Sequence, residues 1–269
     1  MITSAQNQKI QEVRKLAAKR KEREASGRYI IEGVRLVEEA LGRADDCCYL
    51  LYSEPLTARA EKLVRDFRKK GVSVEEITPQ LMDSIAGTES PQGVLAVMRA
   101  VSLPIPEKPD FLLIADGLQD PGNLGTLFRT AAAAGADGVL LMPGCADVYN
   151  PKVIRSGMGT HFRLPIRQME WDEAEAYLRA VPGMRILAAD LDGAVSCWKT
   201  DLRGPVALII GSEGNGPCDR ALSLADGRIL IPMPGAVESL NAGIAAGILI
   251  FEVVRQREIR EIRDKKQEK

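Results

Sequence analysis

Apolar residues follow two different periods along this chain of 269 residues. Near the start, Ile10, Val13, Leu16 and Ala17 recur at helical spacing, which predicts an amphipathic helix over residues 5–24. Short apolar runs then alternate with helix-like segments. Extended segments are expected at 28–32, 48–52, 72–77 and 94–99, and helices at 34–41 and 57–70. This alternation predicts a small α/β unit.

A second alternation begins after residue 110, and its apolar runs have no polar face. The stretch 101–110, VSLPIPEKPD, contains three prolines and few residues of core type, which indicates a linker. Strands are expected beyond it at 111–115, 138–142, 185–189, 206–210 and 228–231, and helices at 124–134 and 239–256. Such runs are typical of a parallel sheet covered by helices on both faces. We therefore expect an α/β fold with a smaller domain at 1–100 and a larger one at 111–269.

Charge changes this picture only at the N-terminus. The whole chain has a formal charge of −1, so it is not a polycation. Residues 1–28 nevertheless contain eight lysines and arginines against three glutamates, a local charge of +5. Such a segment is either a solvated helix face or an electrostatic footprint for phosphates. On the second interpretation, the candidate phosphate-binding residues are Lys15, Lys19, Arg20 and Lys21.

The remaining composition argues against several kinds of site. The five cysteines are odd in number and form no C-x-x-C pair, which is typical of a reduced protein without a zinc site. His161 is the only histidine and has no nucleophile signature nearby, so we expect it to be structural or exposed. The sequence has neither an apolar signal core nor a run of about 18 apolar residues. We expect a soluble, cytoplasmic protein that binds no metal.

Three segments rich in glycine, proline or asparagine each follow a predicted strand. Ligands of open α/β sheets bind beyond the carboxyl ends of strands, so each segment is placed where a site would be. In the first, DGLQDPGNLGTLFRT at 116–130, a turn at Pro121 and Gly122 precedes Asn123, which we expect to cap the next helix. Arg129 lies less than two turns into that helix. It is either a surface or ion-paired residue, or a phosphate-binding or catalytic one.

The second and third segments can each be interpreted either as an ordinary turn or cap, or as part of a ligand site. IGSEGNG at 210–216 contains three glycines, which allow close backbone approach to a ligand or simply form a turn. Their order matches neither the dinucleotide fingerprint nor the phosphate loop. IPMPGAVESLN at 231–241 is an irregular loop in which Glu238 and Ser239 are expected to open the last helix. Ser239 and Asn241 supply a hydroxyl and an amide there, whose ordinary role would be N-capping.

Taken together, the three segments resemble the motifs of the SpoU/TrmH branch of the SPOUT RNA methyltransferases. The matching residues are Asn123, Gly125, Arg129 and Thr130 in the first motif, Gly211, Ser212, Glu213, Gly214 and Gly216 in the second, and Ile231, Pro232, Met233, Gly235 and 237–241 in the third. Their order and spacing also match, and the resemblance covers 111–257. Ala242 and Gly243 depart from the family pattern, in which β-branched or hydroxyl residues are commoner, and we expect no loss of function from this.

The rest of the chain resembles the family in shorter pieces. NPKVIR at 150–155 is similar to a family segment between the first two motifs. The N-terminal half is similar to the family's RNA substrate-binding domain, best at 31–35 (IEGVR) and at 88–93 (TESPQG). By this resemblance, Arg35 and Arg155 join the four cations of the arm as candidate RNA-binding residues.

The resemblance implies a fold, a cofactor and an assembly. The fold would be α/β, with a SPOUT catalytic domain whose parallel sheet carries a deep trefoil knot, and a smaller N-terminal α/β RNA-binding domain. Periodicity cannot show such a knot, because knotted chains are almost absent among proteins. The chain would form a homodimer and hold S-adenosyl-L-methionine in the knot. The implied cofactor-binding residues are Gly211, Ile231, Met233, Ser239, Leu240 and Asn241.

The implied reaction is methyl transfer to a ribose 2′-hydroxyl of RNA, ribosomal rather than transfer RNA because of the N-terminal extension. Arg129 would stabilise the developing alkoxide, since arginine rarely loses its proton. Asn123 and Glu213 would orient the site, and Ser239 and Asn241 would hold cofactor or ribose. Three alternatives stay open: a tRNA 2′-O-methyltransferase, a SPOUT enzyme that methylates a base nitrogen, and a non-catalytic RNA-binding protein. A nicotinamide dehydrogenase would lack its glycine fingerprint.

Overall fold

The computed structural model describes residues 1–192, 194–235 and 239–267, with side chains as far as residue 258. Within them the chain forms two compact units. Unit 1 consists of Met1–Val101 together with Asp147–Phe162, and unit 2 consists of Ser102–Ala146 together with the chain from Arg163 onward. Residues 101–110, expected to be a linker, contain neither helix nor strand.

Unit 1 is built on a mixed four-stranded sheet. Its strands are β1 (Arg28–Glu32), β2 (Cys47–Tyr52), β3 (Val74–Glu76) and β4 (Val94–Arg99), in the order β1-β4-β2-β3. β4 pairs antiparallel with β1 and β2, whereas β3 pairs parallel with β2. The helices are α1 (Gln8–Ala18), α2 (Arg20–Ser26), α3 (Val34–Glu39), α4 (Ala58–Lys69), α5 (Pro79–Ile85) and α7 (Pro151–Gly157), with 3₁₀ turns at Ala40–Asp46 and Thr160–Phe162.

The N-terminal amphipathic helix is present but divided. Its buried face consists of Ile10, Val13 and Leu16, as the helical period predicted. The expectation of one helix over 5–24 is wrong, because the backbone at Lys19 is extended (φ −123°, ψ 120°) and separates α1 from α2. The break allows the guanidinium of Arg23 to donate a hydrogen bond to the carbonyl of Leu16, in the last turn of α1. Carbonyls at a helix end otherwise lack a partner within the helix.

The segment Asp147–Phe162 belongs to unit 1, although the chain on either side of it belongs to unit 2. Asp147 forms an ion pair with Arg23 at 2.6 Å, and both side chains are at least nine-tenths buried. Tyr149 stacks on Tyr29 with ring centroids 4.6 Å apart, and Ile154 joins the apolar core of the unit. The larger domain was expected to be contiguous over 111–269. The structure differs because partners far apart in sequence hold this segment in unit 1.

Unit 2 is built on a fully parallel seven-stranded sheet in the order β7-β6-β5-β10-β8-β11-β9. Its strands are β5 (Phe111–Ala115), β6 (Gly138–Leu141), β7 (Ile166–Gln168), β8 (Arg185–Ala189), β9 (Val195–Ser196), β10 (Val206–Ile210) and β11 (Gly227–Leu230), and its helices are α6 (Pro121–Ala133), α8 (Trp171–Ala180), α9 (Asp219–Leu224) and α10 (Ala242–Gln267). Every residue of β5, β6 and β10 is buried. The predicted parallel sheet with two covered faces is confirmed.

The topology collects three chain segments at one edge of this sheet. β5 has β6 on one side and β10 on the other, and β8 and β11 follow beyond β10. Because these strands are parallel, the segments that follow β5, β10 and β11 leave from the same edge. They are the three segments that the sequence singled out. Among the helices of the described residues, none is long and apolar enough to cross a membrane.

Candidate functional site

The first of the three segments leads into α6, whose N-terminus is capped by Asp120. The Asp120 carboxylate accepts a hydrogen bond from the N–H of Asn123 at 2.8 Å. Pro121 occupies the first helical turn, where a backbone N–H is not needed. The expectation that Asn123 caps this helix is therefore wrong. Since Asp120 performs this role, the side-chain amide of Asn123 is available for other partners.

The amide of Asn123 links the three segments to one another. Its Nδ2 donates to Oε1 of Glu213 at 2.8 Å, and its Oδ1 accepts from Nδ2 of Asn241 at 2.9 Å. The ionised carboxylate of Glu213 only accepts hydrogen bonds, so the amide orientation of Asn123 and then of Asn241 is determined by it. The three side chains thus form a chain of hydrogen bonds with one polarity. We call Asn123, Glu213 and Asn241 the amide network.

Asn241 also begins the last helix. Its Oδ1 accepts a hydrogen bond from the N–H of Ile244 at 3.2 Å, and α10 starts at the next residue, Ala242. The expectation that Ser239 opens this helix is wrong, and Ser239 is instead an exposed residue of the preceding loop. Val237 and Glu238, which belong to the third motif, lie outside the described residues.

The second segment forms a tight turn in which only glycine fits at position 211. Ser212 and Gly216 exchange two backbone hydrogen bonds of 3.1 Å. A Cβ on Gly211 would lie 2.1 Å from both the carbonyl carbon of Gly216 and the nitrogen of Pro217, which is a severe clash with backbone. By contrast, a Cβ on Gly214 would meet nothing within 4 Å. Close backbone approach is thus the reason for the first glycine.

Asp116 is a component of the site that sequence reasoning missed. It is the first residue after β5, its side chain is buried, and its Oδ2 accepts a hydrogen bond from the N–H of Cys218 at 2.7 Å. Its own N–H donates to the carbonyl of Ile210. Asp116 therefore holds both ends of the second segment against the first. The only local signal was an acidic residue between a buried strand and a glycine.

The third segment offers unpaired backbone groups. Ile231 and Met233 are half-buried in the loop after β11, and their backbone groups form no hydrogen bond with another described residue. Leu240 is also half-buried, next to the amide network. Buried backbone groups without a partner are unfavourable, and a ligand with its own donors and acceptors would satisfy them. The residues present therefore fit a nucleoside-like cofactor.

Arg129 lies on α6 but does not join the amide network. Its side chain is exposed and forms no hydrogen bond or ion pair with any residue that the structure describes. The helical period places it about 120° around α6 from Asn123. α6 packs closely on α10, where a Cβ on Gly243 would lie 3.2 Å from Cγ2 of Thr126. Of the five predicted catalytic residues, the structure joins three and leaves Arg129 and Ser239 exposed.

Two other reactive side chains are unsuited to catalysis at this site. Burial raises the pKa of the Cys145 thiol, which donates to the carbonyl of Ala115 at 3.3 Å, so it is a neutral structural group. His161 lies in unit 1, where burial lowers its pKa to about 4, and its Nε2 is 2.8 Å from the carbonyl oxygen of Val148. The structural interpretation of His161 is confirmed.

The cations of the N-terminal arm differ in their partners, and Arg14 donates to the hydroxyl of Ser84 at 3.0 Å. Those that pair with a carboxylate are Lys9, Arg20, Arg23 and Arg28. Lys15, Lys19 and Lys21 are exposed and have no carboxylate partner among the described residues. Arg20, a predicted RNA-binding residue, bonds Glu24 at 2.7 Å instead. The net charge of +5 is therefore not spread evenly over the arm, because carboxylates neutralise some of its cations and not others.

The two N-terminal pieces of family resemblance meet in unit 1. Glu32 accepts hydrogen bonds from the N–H of Gly87, at 2.7 Å, and from the hydroxyl of Thr88. The N–H of Val34 donates to Oε1 of Gln92 at 2.8 Å. IEGVR and TESPQG are thus two sides of one local structure. The other two candidates, Arg35 and Arg155, are exposed and half-buried respectively, and neither bonds a described residue.

Comparison with known proteins agrees with the arrangement of these segments. The SpoU rRNA Methylase family matches residues 110–251, and the MRM3-like substrate binding domain matches residues 7–96. The chain belongs to the SpoU rRNA methylase family. The family inferred from the three motifs is thereby confirmed. The SpoU match contains the whole amide network and Arg129.

Relatives of this SpoU chain resemble it over nearly its whole length. It is 34% identical over 252 residues to the 23S rRNA (guanosine(2553)-2′-O)-methyltransferase RlmP of Bacillus subtilis, covering 94% of this chain and 98% of the relative. It is also 34% identical over 272 residues to the 23S rRNA (uridine(2479)-2′-O)-methyltransferase of Streptomyces viridochromogenes, covering 95% and 92%. The AdoMet-bound rRNA methyltransferase of Sinorhizobium meliloti has a similar structure, with a TM-score of 0.84, 30% identity and coverage of 94% and 97%.

Proposed function

We propose that this protein transfers a methyl group from S-adenosyl-L-methionine to a ribose 2′-hydroxyl of ribosomal RNA. The observation that carries the proposal is the amide network, which joins the three SpoU motifs at the carboxyl edge of the parallel sheet. The relatives named for 2′-O-methylation of 23S rRNA and the structural neighbours bound to AdoMet support it.

The cofactor would lie between the second and third segments. The residues that would hold it are Gly211, Ile231, Met233, Ser239, Leu240 and Asn241. The turn at Gly211 leaves no room for a side chain, and the free backbone groups of Ile231 and Met233 suit the polar edges of an adenosine. When bound, the cofactor supplies a methyl group made electrophilic by its positively charged sulfur. We place it in the deep trefoil knot that the family resemblance implies.

The amide network would orient the ribose. Oε1 of Glu213 is held by Asn123, whereas its Oε2 forms no hydrogen bond with a described residue and remains available to a ribose hydroxyl. Asn123 and Asn241 supply no mobile proton, so their part is to fix the position of that carboxylate. A carboxylate held in this way positions the 2′-oxygen in line for transfer at little further entropic cost.

Arg129 would stabilise the charge that develops on the 2′-oxygen. Its guanidinium keeps its proton at any physiological pH and presents five N–H donors. Since none of them bonds a described residue, they are available to the substrate. Donors aimed at a developing oxyanion lower the barrier without removing the proton themselves. A phosphate of the RNA would accept that proton.

A homodimer would cover an exposed apolar stripe on α10. Ile244 and Phe251 are 57% and 49% exposed, and their separation of seven residues places them on one helix face. Apolar stripes of this kind mark protein–protein contacts. We therefore propose that two copies associate through this face.

For the RNA, we propose that Lys15, Lys19, Lys21, Arg35 and Arg155 contact the substrate. Lys15, Lys19, Lys21 and Arg35 would bind its phosphate backbone, and Arg20 would join them after release from Glu24. Ribosomal RNA is favoured over tRNA because unit 1 carries the match to the substrate-binding domain. The five cysteines are free, as expected of a cytoplasmic protein. Mapping ribose and base methylation of rRNA and tRNA in a strain without the gene would separate the three kinds of product.

Cofactor binding by the full chain tests the proposal with a matched pair of variants. Calorimetry with S-adenosylmethionine should show binding by the wild type. Gly211→Ala should lose most affinity because its Cβ would clash with the backbone of Gly216, whereas Gly214→Ala should bind as the wild type does. A folded wild-type protein that gives no heat at millimolar cofactor would favour a non-catalytic RNA-binding protein.

A further inference from the structure

Unit 1 contains an open cavity with a volume of about 250 Å³. Its apolar lining includes Ile30 of β1, Leu36 of α3, Ile85 of α5 and Ile154 of α7. Pockets that hold small ligands begin at roughly 300 Å³, so this cavity would accept one flat ring system and little more. Glu32, Lys152 and Arg155 contribute charged side chains to the lining.

Two oppositely charged side chains, Glu32 and Arg155, lie beside Gly87 in this cavity and do not form an ion pair with each other. A Cβ on Gly87 would lie 2.9 Å from Nη1 of Arg155 and 3.5 Å from Oε2 of Glu32. The guanidinium and the carboxylate are thus neighbours, yet Arg155 forms no ion pair within the part of the chain that the structure describes. A half-buried arginine usually pairs with a carboxylate this near to it. The space between the guanidinium of Arg155 and the carboxylate of Glu32 can therefore hold a group that contacts both side chains.

The carboxylate of Glu32 has a fixed orientation. One oxygen accepts the N–H of Gly87 and the other accepts the hydroxyl of Thr88. Each carboxylate oxygen has a second lone pair, so both can accept one more hydrogen bond. Glu32 therefore presents two parallel acceptors beside an apolar wall. The matching ligand has two adjacent N–H donors on a flat ring.

Guanine is the RNA base with that edge, since its N1–H and its 2-amino group lie side by side. Adenine and cytosine place a ring acceptor next to their amino group, and uracil flanks its single N–H with two carbonyl oxygens. Proteins read unpaired RNA bases by such edge contacts, with the ring stacked on an aromatic or guanidinium plane. Arg155 supplies the guanidinium plane here.

We propose that the cavity of unit 1 binds an unstacked guanine of the substrate RNA, with Glu32 reading its donor edge and Arg155 stacking on its ring. The proposal rests on the proposed function, because it takes RNA to be the substrate. It concerns how the RNA is recognised, and it is separate from the site at which the methyl group is transferred.

Short oligonucleotides test the cavity with the full chain. The probes are a uridine pentamer, the same pentamer with one central guanosine, inosine or adenosine, and free guanosine monophosphate, each followed by fluorescence anisotropy or competition. We expect the guanosine pentamer to bind about tenfold more tightly than the inosine pentamer, which lacks the 2-amino donor. Equal binding of all pentamers would overturn the proposal. Free nucleotide that binds as tightly as the guanosine pentamer would overturn RNA as the source of the base.

Variants locate the preference. Glu32→Gln should abolish the difference between guanosine and inosine. Ala17→Leu, which places a larger apolar side chain in the cavity lining, should do the same. The matched controls on α4, Glu61→Gln and Lys62→Gln, should keep the difference. If Ala17→Leu also keeps it, the base binds elsewhere and the proposal falls.

Methyl transfer measured on the same wild-type samples keeps the two proposals apart. Methyl transfer to unmodified ribosomal RNA without any guanine preference would overturn the proposed guanine site and leave the proposed function unaffected. A guanine preference without any methyl transfer would support the guanine site and overturn the proposed function.

Discussion

Arg23 in unit 1 and Arg129 in unit 2 are both helical arginines, and their surroundings are opposite. Arg23 is 5% exposed, and its guanidinium donates to Asp147 and to the carbonyl of Leu16. Arg129 is exposed and has no polar partner among the described residues. Removing one member of a buried ion pair lowers the free energy of unfolding, whereas removing an exposed charge that has no partner changes it little. The comparison separates an arginine that holds the chain together from one that is available to a substrate.

The largest effect is expected from breaking the buried pair. Arg23→Met leaves the Asp147 carboxylate buried without its counter-charge, which typically lowers the free energy of unfolding by about 3–5 kcal/mol. Urea unfolding followed by circular dichroism reports on both units. Tryptophan fluorescence reports on unit 2 alone, because Trp171 and Trp198 both lie there. We expect the loss mainly in the dichroism signal.

The control for this experiment lies on the same helix. Arg20 pairs with Glu24, but both side chains are more than half exposed, so Arg20→Met should change the free energy of unfolding by less than about 1 kcal/mol. The double variant Arg23→Met with Asp147→Leu should regain most of the lost stability, because no unpaired charge remains. Equal unfolding midpoints for Arg23→Met and Arg20→Met would show that the buried pair is not a structural element of this kind.

The second effect tests the other side of the comparison. Arg129→Ala should lower the single-turnover rate of methyl transfer by about 10²–10³, the usual cost of losing an oxyanion donor. Folding and cofactor binding should be unchanged. Arg129→Lys should restore little, because a point charge does not replace a planar fork. Arg167→Ala, which removes an exposed arginine elsewhere in unit 2, is the control. Normal turnover by Arg129→Ala would remove this residue from the mechanism.

The sequence predicted the strands of the fold better than the break in its N-terminal helix. The strands at 28–32, 111–115 and 206–210 coincide with β1, β5 and β10, because short apolar runs bounded by turns are a strong local signal. The break of the N-terminal helix at Lys19 was missed. The break accompanies a contact between Arg23 and Asp147, which are 124 residues apart, and no local pattern records such a contact.

For the candidate site, the sequence predicted that the three motifs lie close together but not which of their side chains form hydrogen bonds. Parallel strands bring their carboxyl ends to one edge, which is why the three motifs could be placed together. Asn123 bonds Glu213 and Asn241 across 90 and 118 residues, and such pairings follow from the tertiary structure alone. The Asp120 cap could have been found, because Pro121 favours the first turn of a helix and so points to the preceding residue as the cap.

A smaller effect concerns the acid sensitivity of unit 1. The pKa of His161 is lowered to about 4 by burial, against about 6.5 in an unfolded chain. Between these two values the unfolded state binds the extra proton and the folded state does not, so the free energy of unfolding falls as the pH is lowered from 6.5 to 4. The slope contributed is at most about 1.4 kcal/mol per pH unit.

The variant that isolates this term keeps a donor for the carbonyl of Val148. His161→Gln should unfold with a shallower loss of stability between pH 6.5 and 4 than the wild type. The difference between the two proteins isolates the contribution of His161 from that of distant titrating groups. Parallel pH profiles would mean that His161 titrates normally in the folded protein.

The smallest effect, in the N-terminal arm, sharpens the comparison between paired and unpaired cations. Replacing Lys15, Lys19 and Lys21 by Gln should weaken RNA binding and reduce the slope of log affinity against log salt by up to about 2, since each single-strand phosphate contact contributes roughly 0.7. Adding Arg20→Gln should weaken binding further, but by less than one of the lysines does, because Arg20 must first release Glu24. The control replaces Lys62, Lys69 and Lys70 on the α4 side of unit 1. Cofactor affinity should be constant throughout. If the arm and control variants have the same salt slope, the arm is a solvated helix face.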